Sequence, residues 1–230
     1  MQIASAYAIL ANGGYSIQPF LMERVENISG EIVYQRNPAT VCVSCMKNAD
    51  DMEDSEELSI EEILLLDSMP SNNEQKILAP RVMDERINFI INSILRDVIK
   101  FGTGRRALKL KRDDIAGKTG TSNGPMDAWF SGYNSELVTT TWVGFDNFTS
   151  LGKREFGGTS ALPIWIGFMR EALKNMPKKK REVPPGIDIV RIDRKTGFAS
   201  TASNKEAIFE YFRVENSPKK KTSDSMGKSE

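Results

Sequence analysis

The chain is predicted to be an α/β protein of the α+β type, an antiparallel sheet packed by helices. Two observations predict this. Apolar residues recur at helical spacing in three separate stretches, near residues 3–10, 82–99 and 163–176. Between the second and third of these, three β-type runs follow one another with only short turns between them, a spacing that suits antiparallel neighbours. At 230 residues and 40% hydrophobic content, one domain with a true core is expected.

Met1 begins inside the first helical pattern, where Ile3, Ala6, Tyr7 and Leu10 form one stripe and Asn12-Gly13 is the stop signal. It has neither the basic start nor the cleavage site of a signal peptide. Cys42 and Cys45 follow. Without histidine or a third cysteine they cannot complete a usual zinc tetrahedron, and their setting is not that of a redox pair that opens a helix. A short-loop disulfide or two free thiols remain. Residues 46–79 are expected to be an acidic, exposed loop insert with one apolar turn at Ile63–Leu66. From Val82 to Ile99 a helix is expected, its apolar face built from Met83, Ile87, Ile90, Ile91, Ile94, Leu95 and Val98. The β-type runs lie around Lys118–Thr121, at Asp127–Tyr133 and at Leu137–Phe145. A closing helix is expected over Pro163–Met176, with Ser160 as N-cap and Ile164, Trp165, Phe168, Met169 and Ala172 on one face. The basic runs Lys178–Arg181 and Lys219–Lys221 are expected to be solvated linker and tail.

Composition removes several functions. Thirty-one basic and 31 acidic residues cancel, so the overall charge does not call for nucleic acid. The absence of histidine excludes Ser-His-Asp, Cys-His and histidine–metal chemistry. No metal or cofactor is expected. No apolar run reaches the 18 residues of a membrane span.

The most informative motif is Lys118-Thr119-Gly120-Thr121. A lysine offers a compact cation to a substrate carboxylate, threonine hydroxyls can donate to the same anion, and Gly120 lets a substrate backbone lie against the strand. K-T-G is one of three motifs of the penicillin-recognising serine acyl-transferases. A second copy, Lys195-Thr196-Gly197, follows Asp193 at turn spacing and is expected to be a tight turn.

The context of the first copy extends the likeness. Phe101–Ala107, Arg112–Thr121, Asp127-Ala128-Trp129-Phe130 and Thr141–Asp146 resemble the transpeptidase domain of class A, bifunctional penicillin-binding proteins. So do Ala4–Gly14, Pro19 and the Glu26–Ile32 turn around Gly30, then Gly157–Trp165, and the Pro184–Gly197 piece of the 1A type. The likeness runs in family order from residue 1 to about 216. It implies the C-terminal portion of that domain at 1–177, with a linker and small β-type tail at 178–216 and a polar tail at 217–230. It also implies that Lys118, Thr119, Gly120 and Thr121 bind a D-Ala-D-Ala stem peptide or a β-lactam, and that the Thr121 N–H forms half of an oxyanion hole. Asp127 and Trp129 are expected to anchor a strand. Relatives often carry two cysteines near Cys42 and Cys45 and work in an oxidising compartment, which implies a disulfide there. The resemblance further implies a parent protein on the periplasmic face of the bacterial inner membrane.

The other two family motifs are expected to be missing. S-x-x-K occurs at Ser44–Lys47, Ser150–Lys153, Ser217–Lys220 and Ser225–Lys228, and S-x-N at Ser71–Asn73. The mechanism needs serine and lysine one helical turn apart at a buried helix start, and the family places them upstream of the stretch like Ala4–Gly14. No catalytic nucleophile is therefore expected in this chain. The resemblance makes Leu137–Phe145 a central strand whose far-side partner comes from the N-terminal part of the domain, and the backbone groups of Thr139, Thr141 and Val143 are expected to lack partners here. Two further classes fit the same residues: a non-catalytic binding module using this groove, and an inert fragment. D,D-carboxypeptidases and β-lactamases share K-T-G without both flanking contexts.

Overall fold

The computed structural model describes residues 1–41, 77–201 and 203–219. Its elements in chain order are helix α1 (Gln2–Ala11), strands β1 (Arg24–Glu26) and β2 (Ile32–Gln35), helix α2 (Glu85–Lys100), and a 3-10 segment Arg105–Leu110. Strands β3 (Ala116–Thr121), β4 (Asp127–Tyr133) and β5 (Val138–Gly144) follow, then a wide turn Gly157–Ala161, helix α3 (Leu162–Ala172), and strands β6 (Ile187–Ile192) and β7 (Ile208–Arg213). The Cys42/Cys45 pair, the acidic insert apart from Ile77–Ala79, and the serine motifs at Ser44, Ser71 and Ser225 lie outside the described residues.

The central feature is an antiparallel sheet of order β3-β4-β5. Its alternation sorts side chains onto two faces. Phe130 and Gly132 face α3, where Trp165 meets Phe130 edge-on at 4.9 Å. The Trp165 Nε1–H is shared by the carbonyls of Thr139 (3.1 Å) and Gly132 (3.4 Å), so one indole bridges the β4–β5 ladder. Trp165, Phe130, Leu162, Met169, Ile115 and Ile99 are the heart of the main core. On the opposite face Tyr133 packs beneath α1 and α2, with Tyr7 edge-on at 6.0 Å and its hydroxyl donating to Asn92 at 2.8 Å.

α1 ends as its sequence dictates. Asn12 caps it, the Asn12 Oδ1 accepts from Gly14 and Tyr15 N–H groups, and Gly13 and Gly14 take φ of 96° and 104°. α2 starts at Glu85 rather than Val82, because the Asp84 carboxylate accepts from the N–H groups of Arg86 (2.9 Å) and Ile87 (3.1 Å) and fixes the start there. Its buried face differs from the apolar stripe: Ile87 and Ile94 are exposed, while Asn88 and Asn92 are buried and donate to the Ile9 and Leu10 carbonyls at the end of α1. The Lys178–Arg181 run is likewise not all solvated. Arg181 reaches inward and donates to the Leu10 and Ala11 carbonyls and to Asn88 Oδ1.

α3 is shorter than expected and stops at Ala172. Its N-terminus has no side-chain cap, since Ser160 lies within the wide turn and bonds Glu155 instead. It buries Leu162, Trp165, Ile166 and Met169, leaving Ile164 and Phe168 in solvent. The 184–199 piece does not pair with β5; β6 pairs with β7, and the hairpin rests on α2 through Tyr211 against Phe89 (4.9 Å) and Arg86 with Glu215 (3.2 Å).

Candidate functional site

Lys118, Thr119, Gly120 and Thr121 all lie on β3, one of the two outer strands of the sheet. Which backbone groups they present follows from the ladder. The Ser122 N–H donates to the Asp127 carbonyl (3.1 Å), so by alternation Gly120 and Lys118 also bond toward β4. The N–H and C=O groups of Thr119 and Thr121 therefore point to the free edge. The Lys118 ammonium agrees with this, since it reaches the Thr119 carbonyl at 2.8 Å and the Thr119 Oγ1 at 3.4 Å. Among the described residues no carboxylate pairs with Lys118. A cation beside two outward backbone N–H groups is a surface suited to an extended chain that ends in a carboxylate.

Two other segments hold β3 in place from the α3 side. The Thr103 and Thr119 hydroxyls share a hydrogen bond of 2.7 Å, and the Gly157 N–H donates to Thr121 Oγ1 at 3.1 Å. Arg106 then ties the same turn down by donating to the Gly158 carbonyl at 3.2 Å. Phe101–Ala107, the K-T-G strand and Gly157-Gly158 thus converge from three parts of the chain. The first and third of these segments carry the family resemblance, but nothing in the sequence pointed to roles for Thr103, Arg106, Gly157 or Gly158 beyond the pairing of small residues with hydroxyls.

On the face opposite α3, Gly120, Trp129 and Trp142 lie in one row across the three strands. The two indoles are 6.0 Å apart, and Trp142 Nε1 donates to Asp127 Oδ1 at 2.9 Å. The Asp127 N–H also donates to the Ser122 hydroxyl oxygen (2.8 Å). These contacts anchor strand and turn, the structural use expected of Asp127 and Trp129.

The second K-T-G is a turn. Asp193 Oδ1 accepts from the N–H groups of Lys195 (3.0 Å) and Thr196 (2.8 Å), and Gly197 has φ of 72°. Those N–H groups, the Thr196 hydroxyl and Asn204 hold the Asp193 carboxyl below its ordinary pKa. Ser150 and Lys153 sit in a loop, where the Ser150 hydroxyl accepts from Gly152 N–H at 3.2 Å. Ser217 donates to Asp188 at 2.5 Å. Neither serine opens a helix.

The β5 edge differs from expectation. Asn134 N–H donates to the Leu137 carbonyl (3.0 Å), so the ladder continues through Thr139, Thr141 and Val143, which bond to β4. The backbone groups facing outward belong to Val138, Thr140 and Trp142. The expected set has the wrong parity.

The penicillin binding protein transpeptidase domain matches residues 1–164. Penicillin-binding protein 1A of Pseudomonas aeruginosa is 45% identical over 95% of this chain, and that of Vibrio cholerae is 35% identical over all of it. The crystal structure of penicillin-binding protein 1A from Haemophilus influenzae superposes with a TM-score of 0.77 at 34% identity, over 94% of this chain and 32% of that one. The chain spans 28% and 29% of the length of the two curated relatives, so it corresponds to a portion of them. No helix among the described residues is long and apolar enough to cross a membrane. With the sheet, the K-T-G strand and these matches together, the chain belongs to the penicillin-binding protein transpeptidase-domain family.

Proposed function

We propose that this chain supplies the substrate-binding edge of a serine-type D,D-transpeptidase that cross-links peptidoglycan, in a parent protein on the periplasmic face of the bacterial inner membrane. The observation that carries the reading is the free edge of β3, where the N–H and C=O groups of Thr119 and Thr121 face outward beside the exposed Lys118 ammonium. A D-Ala-D-Ala stem peptide or a β-lactam lies along this edge, with its carboxylate against Lys118 and the hydroxyls of Thr119 and Thr121. The outward N–H of Thr121 donates to the oxygen that becomes negative when the carbonyl is attacked. Gly120 leaves room for the ligand backbone.

The attacking serine and its lysine come from S-x-x-K residues that precede this chain in the parent, and S-x-N with them. The chain alone is therefore inactive as an acyl-transferase. The test is labelling with a fluorescent penicillin followed by a denaturing gel. The isolated chain is expected to give no band, and the chain joined to the preceding part of the domain is expected to give one. A boiling-stable band on the isolated chain would overturn the reading.

A further inference from the structure

A cleft lies between α2, the start of β3, the β4–β5 turn and residues 179–181, with ≈ 330 Å³ of free space within it and at its mouth. Ala116 lines it and Lys118 does not, so it is separate from the K-T-G edge. Its charges do not balance. Asp114 is buried and held by Arg112 through two bonds of 2.8 and 2.6 Å. Lys179 is paired with Glu136, and Lys180 stands 3.9 Å from Asp113. That leaves Arg96 and Arg181. Arg181 gives its N–H groups to the carbonyls of Leu10 and Ala11 and to the Asn88 amide oxygen, none of which carries a full charge. Arg96 has no hydrogen-bond or ion-pair partner among the described residues, and its Nε is buried. Ser135 also lines the cleft, and its hydroxyl is buried without a partner.

Two neighbouring guanidinium groups without a counter-ion are costly in a partly dehydrated cleft. Burial first, and the field of Arg96 as well, depress the pKa of Arg181, opposed only by the nearby Tyr133. Such a setting is relieved by an anion with oxygen acceptors. We propose that this cleft binds a compact oxyanion, a phosphate group or a carboxylate, held by the Arg96 guanidinium and the Ser135 hydroxyl. Arg96 supplies a planar fork matched to two oxygens, Ser135 donates to a third position, and Arg181 contributes charge while its donors stay on α1. The proposal does not depend on the transpeptidase reading, because none of the K-T-G residues touches the cleft.

The test is calorimetric titration of the full chain with sodium phosphate and, separately, sodium acetate, with ionic strength held constant by chloride. Saturable binding of at least one anion is expected, weakened tenfold or more in Arg96→Gln and less in Ser135→Ala. Arg96→Lys should recover part of the loss, since it keeps the charge without the fork. Phosphate preferred over acetate assigns a phosphate ligand, and the reverse order assigns a carboxylate. Absence of saturable binding by the parent chain at tens of millimolar of either anion (on the order of millimolar affinity or weaker) refutes the site. So does equal binding by Arg96→Gln with an unchanged circular dichroism spectrum.

Discussion

Gly157 lies backbone to backbone against Gly120. A Cβ at Gly157 would stand 2.5 Å from the Gly120 carbonyl oxygen and 2.2 Å from that of Trp129. The turn that leads into α3 is therefore pressed onto the ladder between β3 and β4 at the K-T-G glycine itself. Position 157 has no room for any side chain.

Gly157→Ala is expected to destabilise the fold by on the order of 1–3 kcal/mol, because the obstacle is main chain and cannot rotate away. Gly167→Ala is the control. Gly167 sits in the middle of α3 with nothing within 4 Å of its added Cβ, so alanine there should stabilise by roughly 0.5–1 kcal/mol. Denaturant midpoints of the two variants moving in the same direction would show that the close approach does not matter.

In the chain joined to the preceding part of the domain, Lys118→Ala should cripple acylation by a penicillin while Lys195→Ala should not. Losing one charge-assisted contact to a carboxylate costs on the order of 1.5–3 kcal/mol, about a 10- to 150-fold fall in rate. Lys195, by contrast, belongs to a solvent-exposed turn and pairs with Glu206 at 3.3 Å. Equal losses at both positions would discard the choice of motif.

Hydrogen exchange should alternate along β5. The amides of Thr139, Thr141 and Val143 face β4 and should be protected, whereas those of Val138, Thr140 and Trp142 face the outer edge and should exchange roughly tenfold faster or more. Addition of a strand from the preceding part of the domain should erase the contrast. Uniform slow exchange in the chain by itself would mean that its own residues cover this edge.

Asp84 gives a pH-dependent contribution to stability. Burial alone would raise its carboxyl, but the N–H groups of Ile87 and Arg86 and the Arg86 guanidinium outweigh that and hold it below its ordinary value. With the folded pKa depressed, the stabilisation is full above the unfolded value of about 3.9 and is lost as pH falls through the folded one. Asp84→Ala should cost about 0.5–2 kcal/mol at neutral pH, and the difference from the parent chain should shrink below about pH 4. A difference that persists undiminished at pH 2 would assign the cap no charge component.

Local features were legible in the sequence where local chemistry decides them. Asp127–Tyr133 is β4 to the residue, Asn12-Gly13 ends α1, and Asp193 to Gly197 makes a turn. Where a distant partner decides, the residues did not reveal it. Periodicity marked Ile87 and Ile94 as buried, yet Asn88 and Asn92 are inside because the open carbonyls of α1 need donors. Arg181 sits within a lysine run that resembles solvated linker, and the same carbonyls draw it in. In β5 the face of each side chain was readable, but the direction of each N–H depends on the pairing set by the Asn134–Leu137 turn. A one-residue error there reverses every group.

The closure of α1 also sets an order of assembly. Its final carbonyls are bonded by residues 79, 82 and 170 or more positions further along the chain. During synthesis at about 5–20 residues per second, the first helix waits roughly ten seconds or more before Arg181 exists to complete its end. Contacts of such long sequence separation slow folding and keep the early part of the chain open to wrong partners. α1 is thus made well before its end can be secured, and its vulnerability to proteolysis should fall only once Arg181 has been delivered.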